Sequence, residues 1–459
     1  KEARPYTAGF FVMIKQKQIM YSNKQIWNVS YPIFLSLLAQ NVINVTDTAF
    51  LGRVGEVELG AAAMGGLFYI CIYTIAFGFS TGSQIVMARR NGEKQYADVG
   101  PVMIQGIVFL FLLAGIVFTL SKLYAENVIS LLISSEQVRG ATMEFLDWRV
   151  FGFFFSFVNV MYRAFYVGIT RTKVLTMNAV VMAVTNVILD YVLIFGHLGF
   201  PAMGIKGAAI ASVVAEGGSI LFFVIYTRLT VNRNKYGLNR LTSFDFALLG
   251  RVLNISIFTM MQYFFSMGSW FMFFVVVERI GVRDLAIANI VRSIYVVMVI
   301  PVSALSTTTN TFVSNTIGAG KTDQVMGVIA KISKLSFYIM AVFASVVCLF
   351  PKLILSVYTN DPLLIADSYA SIYVISAAML ISSVGSIFFS GVTGTGNTRS
   401  ALSMETITLV FYGGYIYLVG MVFKQPVEVC FTTEIVYYTG LLAFSYLYLK
   451  KGRWQHKKI

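Results

Sequence analysis

Asp47, in "NVINVTDTAFLG", and Asp190, in "TNVILDYVLIF", each stand well inside a long apolar run. A carboxylate at the centre of a membrane helix costs roughly 3 kcal/mol on insertion scales, so an acid kept there needs a use. Helical spacing puts Gln40, Asn44 and Asp47 at i, i+4 and i+7 on one face, and Asn186 and Asp190 at i and i+4 on another helix. Asn159 and Ser212 add oxygen groups at comparable depth in neighbouring runs. Two carboxylates with amide and hydroxyl oxygens suit a hard cation such as Na⁺, and suit a proton equally well. Were Na⁺ the ion, Asp47, Asn186, Asp190 and Ser212 would be its ligands. Two acids converging in a low dielectric cannot both ionise cheaply, so the pair is built to take up positive charge. The plainer alternative is that such groups only hydrogen-bond helices together. It applies best to Asn44, Asn159 and Ser212, and worst to the two aspartates, which have no basic residue close by in sequence.

The elements that must position these groups follow from bulk properties. Of 459 residues 57% are hydrophobic and only 12% charged, with a mean hydropathy of +0.74. A soluble domain carries roughly twice that charged fraction, so the chain is an all-α polytopic membrane protein. Twelve apolar runs of membrane-crossing length are expected, near 26–51, 59–82, 101–121, 141–166, 174–196, 207–227, 252–277, 285–313, 329–350, 368–391, 401–423 and 427–449. They divide into an N-lobe over 26–227 and a C-lobe over 252–449. Residues 1–25 form an N-terminal segment whose first dozen resemble added or leader sequence without a cleavage site, 228–251 a basic linker, and 450–459 a basic tail.

The net charge of +14 sits in short loops rather than on one soluble face, which argues against a nucleic-acid partner. Alternate loops hold Arg89, Arg90 and Lys94, Arg171 and Lys173, Arg228, Arg233, Lys235 and Arg240, Lys321, Arg399, and the tail Lys450, Lys451, Arg453, Lys457 and Lys458. The other loops carry Glu56, Glu58, Glu126, Glu136 and Asp361. The positive-inside rule then puts both termini in the cytoplasm. Cys71, Cys348 and Cys430 lack paired spacing, so neither a disulfide framework nor a zinc site is indicated. With His197 and His456 the only histidines, and no nucleophile and base at useful spacing, an enzyme is disfavoured.

An internal repeat runs through both halves at a shift of 226 residues. "RVGEVELGAAAMG" from Arg53 lies over "RIGVRDLAIANIV" from Arg279, and "STGSQIVMARRNG" from Ser80 over "STTTNTFVSNTIG" from Ser306. "TRTKV" from Thr170 and "TRSAL" from Thr398 match at a shift of 228. Six spans per half give a parallel repeat about an axis along the membrane normal, with a central cavity that rocking can open to either side. Against this symmetry Asp47 lies over Phe273 and Asp190 over Leu418, so only the first half keeps two buried acids. Glu216 and Glu434 follow corresponding small-residue stretches, with Arg163 and Arg292 as expected ion-pair partners. Gln40, Gln262, Met261 and Glu405 are candidate substrate contacts, and Phe154, Phe264 and Phe265 candidate cavity walls.

"VTDTAFLG" in the first span, "GITRTK" and "GTGNTRS" after the fourth and tenth, and "IGAGK" after the eighth resemble the MATE (multidrug and toxic compound extrusion) transporters, most closely the bacterial DinF-like branch. The resemblance covers nearly the whole chain and implies a V-shaped pair of six-helix bundles in a bacterial inner membrane. It further implies export of cationic or amphipathic small molecules in exchange for entering H⁺ or Na⁺, with no other cofactor and a monomer among membrane lipid. The family's N-lobe cation site matches Asp47, Asn186, Asp190 and Ser212, and Asn159 more loosely. Acids that some members carry in the seventh and tenth spans are missing here: Gln262 lies in the relevant part of the seventh, and no carboxylate occurs from Ser371 to Gly391. The rival function is a lipid-linked oligosaccharide flippase of the same wider superfamily, for which a basic cavity is expected instead of an acidic one.

Overall fold

The computed structural model describes residues 21–239 and 244–456. The first twenty residues of the N-terminal segment, Arg240 of the linker, and Lys457 and Lys458 of the tail lie outside them. The first half contains α1 (Asn23–Val54), α2 (Glu56–Gly92), α3 (Val99–Leu132), α4 (Glu136–Arg149), α5 (Gly152–Gly168), α6 (Lys173–Phe195) and α7 (Gly204–Thr230). The second contains α8 (Phe246–Ile280), α9 (Val282–Gly318), α10 (Val325–Leu349), the short α11 (Pro351–Leu355), α12 (Pro362–Gly394), α13 (Thr398–Tyr417), α14 (Val427–Cys430) and α15 (Thr432–Lys450). Eleven of these helical segments are long and apolar enough to cross a membrane, and α4 with α5, bent by 55°, makes a twelfth. The expected fourth span is therefore broken near its middle, after Arg149.

Local chemistry sets the helix limits. Ser22 caps α1, its hydroxyl accepting from Gln25 N at 3.2 Å, while Gln25 Oε1 accepts from Ser22 N at 2.8 Å. Asp245 accepts from Ala247 N and Leu248 N at 2.8 and 3.1 Å at the start of α8, and Asp361 does the same for α12 with proline as the first helical residue. Gly196 closes α6 in the left-handed region, φ 77°, where a side chain would run into Ala202.

The duplication is visible in these limits. Shifted by 226, α2 from Glu56 to Gly92 becomes α9 from Val282 to Gly318, and the left-handed Lys94 and Thr170 fall on the left-handed Gly320 and Gly396. That last coincidence corrects the sequence register after α5. The shift stays at 226 there instead of rising to 228, so Asp190 lies over Ile416 rather than Leu418. Both alternatives are apolar, and the asymmetry of the acids is unchanged.

The lobes meet along the ends of α2, α8 and α9 that run toward the basic loops. Gln84 donates to Thr311 at 2.9 Å, Asn91 to Asn315 at 2.7 Å, and Thr259 to Gly78 O at 2.7 Å. Arg89 reaches Thr395 O at 3.0 Å, and Asn315, its counterpart by the repeat, reaches Gly168 O at 3.2 Å. Among the described residues no hydrogen bond or ion pair joins the lobes at the opposite end.

Candidate functional site

At the end away from the basic loops, four N-lobe helices are tied together by one apolar cluster that includes Leu51, Phe145, Ile194 and Ala208. One helical turn deeper along the same four helices stand Asp47 on α1, Arg149 on α4, Asp190 on α6 and Ser212 on α7. The apolar cluster thus lies over a layer of polar groups. Within it Asp47 and Asp190 are neighbours whose carboxyl groups act on each other electrostatically. Asp190 is fully buried and Asn186 is 1% exposed, while Asp47 is half-buried.

The pair is polar but unfinished. Asp47 Oδ1, both Asp190 oxygens, and both Asn186 amide atoms are buried without a hydrogen-bond partner in the protein. Natural cores seldom leave so many polar atoms unmatched in one place. A hydrogen bond between two carboxyl groups requires one proton, and two carboxylates in contact otherwise require another cation between them. The donor set is entirely hard oxygen with one amide, which fits a proton or an alkali ion and does not suit a soft metal.

Other expected site residues separate from this layer. Asn159 donates to Glu216 O at 3.1 Å and accepts from Ser219 at 2.9 Å, so its amide is used in fastening α5 to α7. Asn44 and Gln40 are exposed on α1, and neither bonds to the acids. Ser212 is half-buried in the layer itself. In the C-lobe Met261 is exposed, Gln262 is buried with Oε1 unbonded, and Glu405 is buried accepting from Tyr437 at 2.9 Å. Phe264 and Phe265 are exposed, whereas Phe154 packs in the N-lobe against Phe111 and Phe118.

The ion pairs differ from those expected. Glu216 binds Arg149, not Arg163: Arg149 Nη2 lies 2.6 Å from Oε1 and Nη1 3.2 Å from Oε2. Arg149 ends α4 at the break in the span, and that position turns it toward α7, while Arg163, about three turns along α5, lies over the Phe77 ring at 5.0 Å. The Arg149 guanidinium also sits 3.5 Å from the Tyr69 ring centre, and the Tyr69 hydroxyl is 2.8 Å from Ser156 Oγ. Glu434 likewise makes no ion pair with Arg292. Both line one small cavity, but Glu434 accepts from Tyr412 at 3.2 Å and Arg292 lies over Phe274. Arg149 was legible in the sequence as a cation inside the fourth apolar run, and the signal was that its repeat partner is Ile375.

Comparison with known proteins agrees with this architecture. The MatE family model matches residues 32–192 and 256–425, once in each lobe. The "Probable multidrug resistance protein NorM" of Thermotoga maritima is 22% identical over 399 residues, covering 86% of this chain and 85% of that protein. That of Shewanella oneidensis is 22% identical over 435 residues, 92% of each chain. A multidrug resistance MATE family transporter of the MOP superfamily, solved in an outward-facing conformation, superposes with a TM-score of 0.86 at 16% identity, over 94% of this chain and 95% of that one. With the family model spanning both lobes of a twelve-span duplicated bundle, the chain belongs to the MatE family of membrane transporters.

Proposed function

We propose that the chain exports cationic or amphipathic small molecules in exchange for an entering monovalent cation, H⁺ or Na⁺, taken up by Asp47 and Asp190. The observation that carries this reading is the buried carboxyl pair with Asn186 beside it, whose oxygens have no donor in the protein. Such a pair is stable only when a cation comes to it, and a site that needs a cation is what a gradient can drive. One elementary charge moving through 100 mV is worth about 2.3 kcal/mol, enough to concentrate a neutral substrate roughly 50-fold.

The lobe contacts at the basic end support a cavity open at the other end, and the basic loops support placing that closed end in the cytoplasm. In the outward-open form the acids take up a cation, the carboxyl pair loses one unit of negative charge, and the N-lobe helices repack as substrate leaves. Release of the cation on the cytoplasmic side resets the site. The multidrug resistance names of the relatives fit a broad cationic or amphipathic substrate range.

The test is ethidium efflux from proteoliposomes with a pH gradient and a Na⁺ gradient imposed separately. One of the two gradients is expected to drive efflux, and Asp47→Asn is expected to abolish it while the protein remains folded in the membrane. Full efflux by the Asp47→Asn protein ends the proposal.

A further inference from the structure

We propose that Arg149 is a positioning residue of the cation site: a resident guanidinium that occupies Asp47 when the transported cation has left, and is parked on Glu216 when the pair is loaded. The inference rests on the antiport reading above and goes beyond it by assigning the protein's own cation a place in the exchange.

Three observations lead to it. Arg149 lies in the same layer as the two aspartates, one turn beneath the apolar cluster that joins their helices. The room around it is made for an arginine: a side chain at Gly152 would collide with the Arg149 guanidinium, the Glu216 carboxylate and the Tyr69 hydroxyl. Its place at the 55° break between α4 and α5 puts it at the end of a helix, where a change in the bend would carry it between the two acids.

The repeat says which acids the arginine serves. Glu216, Tyr69 and Ser156 have the counterparts Glu434, Tyr295 and Ser382, with Tyr295 and Glu434 lining one cavity in the C-lobe. Glu434 is buried there without an ion pair: the position of Arg149 holds Ile375, Arg292 lines the same cavity but lies over Phe274, and Tyr412 donates to the carboxylate. The scaffold therefore buries that glutamate on a hydrogen bond, with no bound guanidinium. Asp47 and Asp190, however, become Phe273 and Ile416 in the same copy. The arginine is lost together with the aspartates and not with the glutamate.

The electrostatics give the exchange its direction. With both aspartates ionised, the pair attracts the guanidinium more strongly than the single Glu216 carboxylate does; with a proton or Na⁺ on the pair, Glu216 wins. Arg149 on Glu216, as seen here at 2.6 Å, is the arrangement of a loaded pair. The charged and titratable groups around Arg149 are Asp47 on α1, Tyr69 on α2, Asp190 on α6 and Glu216 on α7. At the exposed rim stand the Lys122–Asp147 pair and Lys206 over Trp148.

Two variants separate a competitor from a structural arginine because they move cation affinity in opposite directions. Ethidium efflux from proteoliposomes is followed as the external concentration of the driving cation is varied. Glu216→Gln leaves Arg149 with Asp47 alone, and its half-saturating cation concentration is expected to rise about tenfold. The double variant Arg149→Gln, Glu216→Gln removes the competitor and keeps the layer's formal charge, and its half-saturating concentration is expected to fall about tenfold with slower turnover. If both stay at the wild-type value, or both move the same way, the proposal is overturned; if the double variant does not fold, an unchanged value in Glu216→Gln alone overturns it. A wild-type protein indifferent to both cations sinks the antiport reading and this inference with it, whereas a wild-type response that neither variant shifts sinks this inference alone.

Discussion

The two lobes share a backbone down to the residues at which helices start and turn, yet one buried layer has been written twice in different chemistry. In the N-lobe it holds Asp47, Arg149, Asn186 and Asp190; at the same repeat positions the C-lobe holds Phe273, Ile375, Tyr412 and Ile416. All four C-lobe residues are buried, and Tyr412 spends its hydroxyl on Glu434. The C-lobe version is a finished core, with aromatic packing of Phe273 on Phe431 and Tyr412 on Tyr437. The N-lobe version leaves five polar atoms of three side chains without partners. Since the duplicated scaffold evidently closes over apolar residues at these positions, the N-lobe acids are not there to make the fold.

The sharpest way to break that contrast is to neutralise acids in each lobe in turn. Asp190→Asn removes half of the carboxyl pair, and gradient-driven efflux is expected to fall by about 100-fold or more, a loss of about 2.7 kcal/mol or more in the driven step. Glu434→Gln and Glu405→Gln keep an oxygen for Tyr412 and Tyr437 to donate to, so the cation dependence of efflux is expected to stay where it is. A C-lobe variant that abolishes cation dependence as thoroughly as Asp190→Asn would show that the lobes share the coupling.

A second contrast concerns room. Gly152 sits against the Arg149, Glu216 and Tyr69 group, and its repeat partner is Ala378, a methyl side chain that the C-lobe buries completely. Gly152→Ala is expected to destabilise the purified protein by roughly 1–3 kcal/mol, through overpacking of a buried ion pair. Ala378→Gly is expected to cost about 1 kcal/mol, the helical preference for alanine. Thermal unfolding in detergent measures both. Equal shifts would mean that the arginine does not set the space at Gly152.

Much of this was legible before any coordinates, and the rest was not for identifiable reasons. Apolar run length is a direct consequence of bilayer thickness, so the spans, their duplication and the two intramembrane aspartates stood out. The break after Arg149 did not, because "DWRVFGFFF" has no proline and its Gly152 reads as an ordinary small residue. Without that break the sequence does not show the direction of Arg149, and Arg163 reads as the partner of Glu216. Partner choice among buried charges depends on which way a helix end points, and periodicity carries no such information. Asn44 shows the same limit: sharing a helix face with Asp47 at i+3 does not bring a side chain into a pocket when the face itself is only partly covered.

The smallest effect distinguishes fastening from binding inside the N-lobe. Asn159 was grouped with the cation site by depth, but its amide spans Glu216 O and Ser219 Oγ, and Ser219 is also 2.9 Å from Asn178 on α6. These bonds tie α5, α6 and α7 together below the acid layer. Asn159→Ala takes the amide donor from the Glu216 carbonyl and leaves the Ser219 hydroxyl only Asn178, which costs about 1–2 kcal/mol. Its unfolding temperature is expected to fall, while the cation concentration giving half-maximal efflux stays fixed. A change in that concentration without a change in unfolding temperature would move Asn159 from the framework into the site, and the boundary between the two would then run one helical turn deeper than the geometry of Asp47 and Asp190 implies.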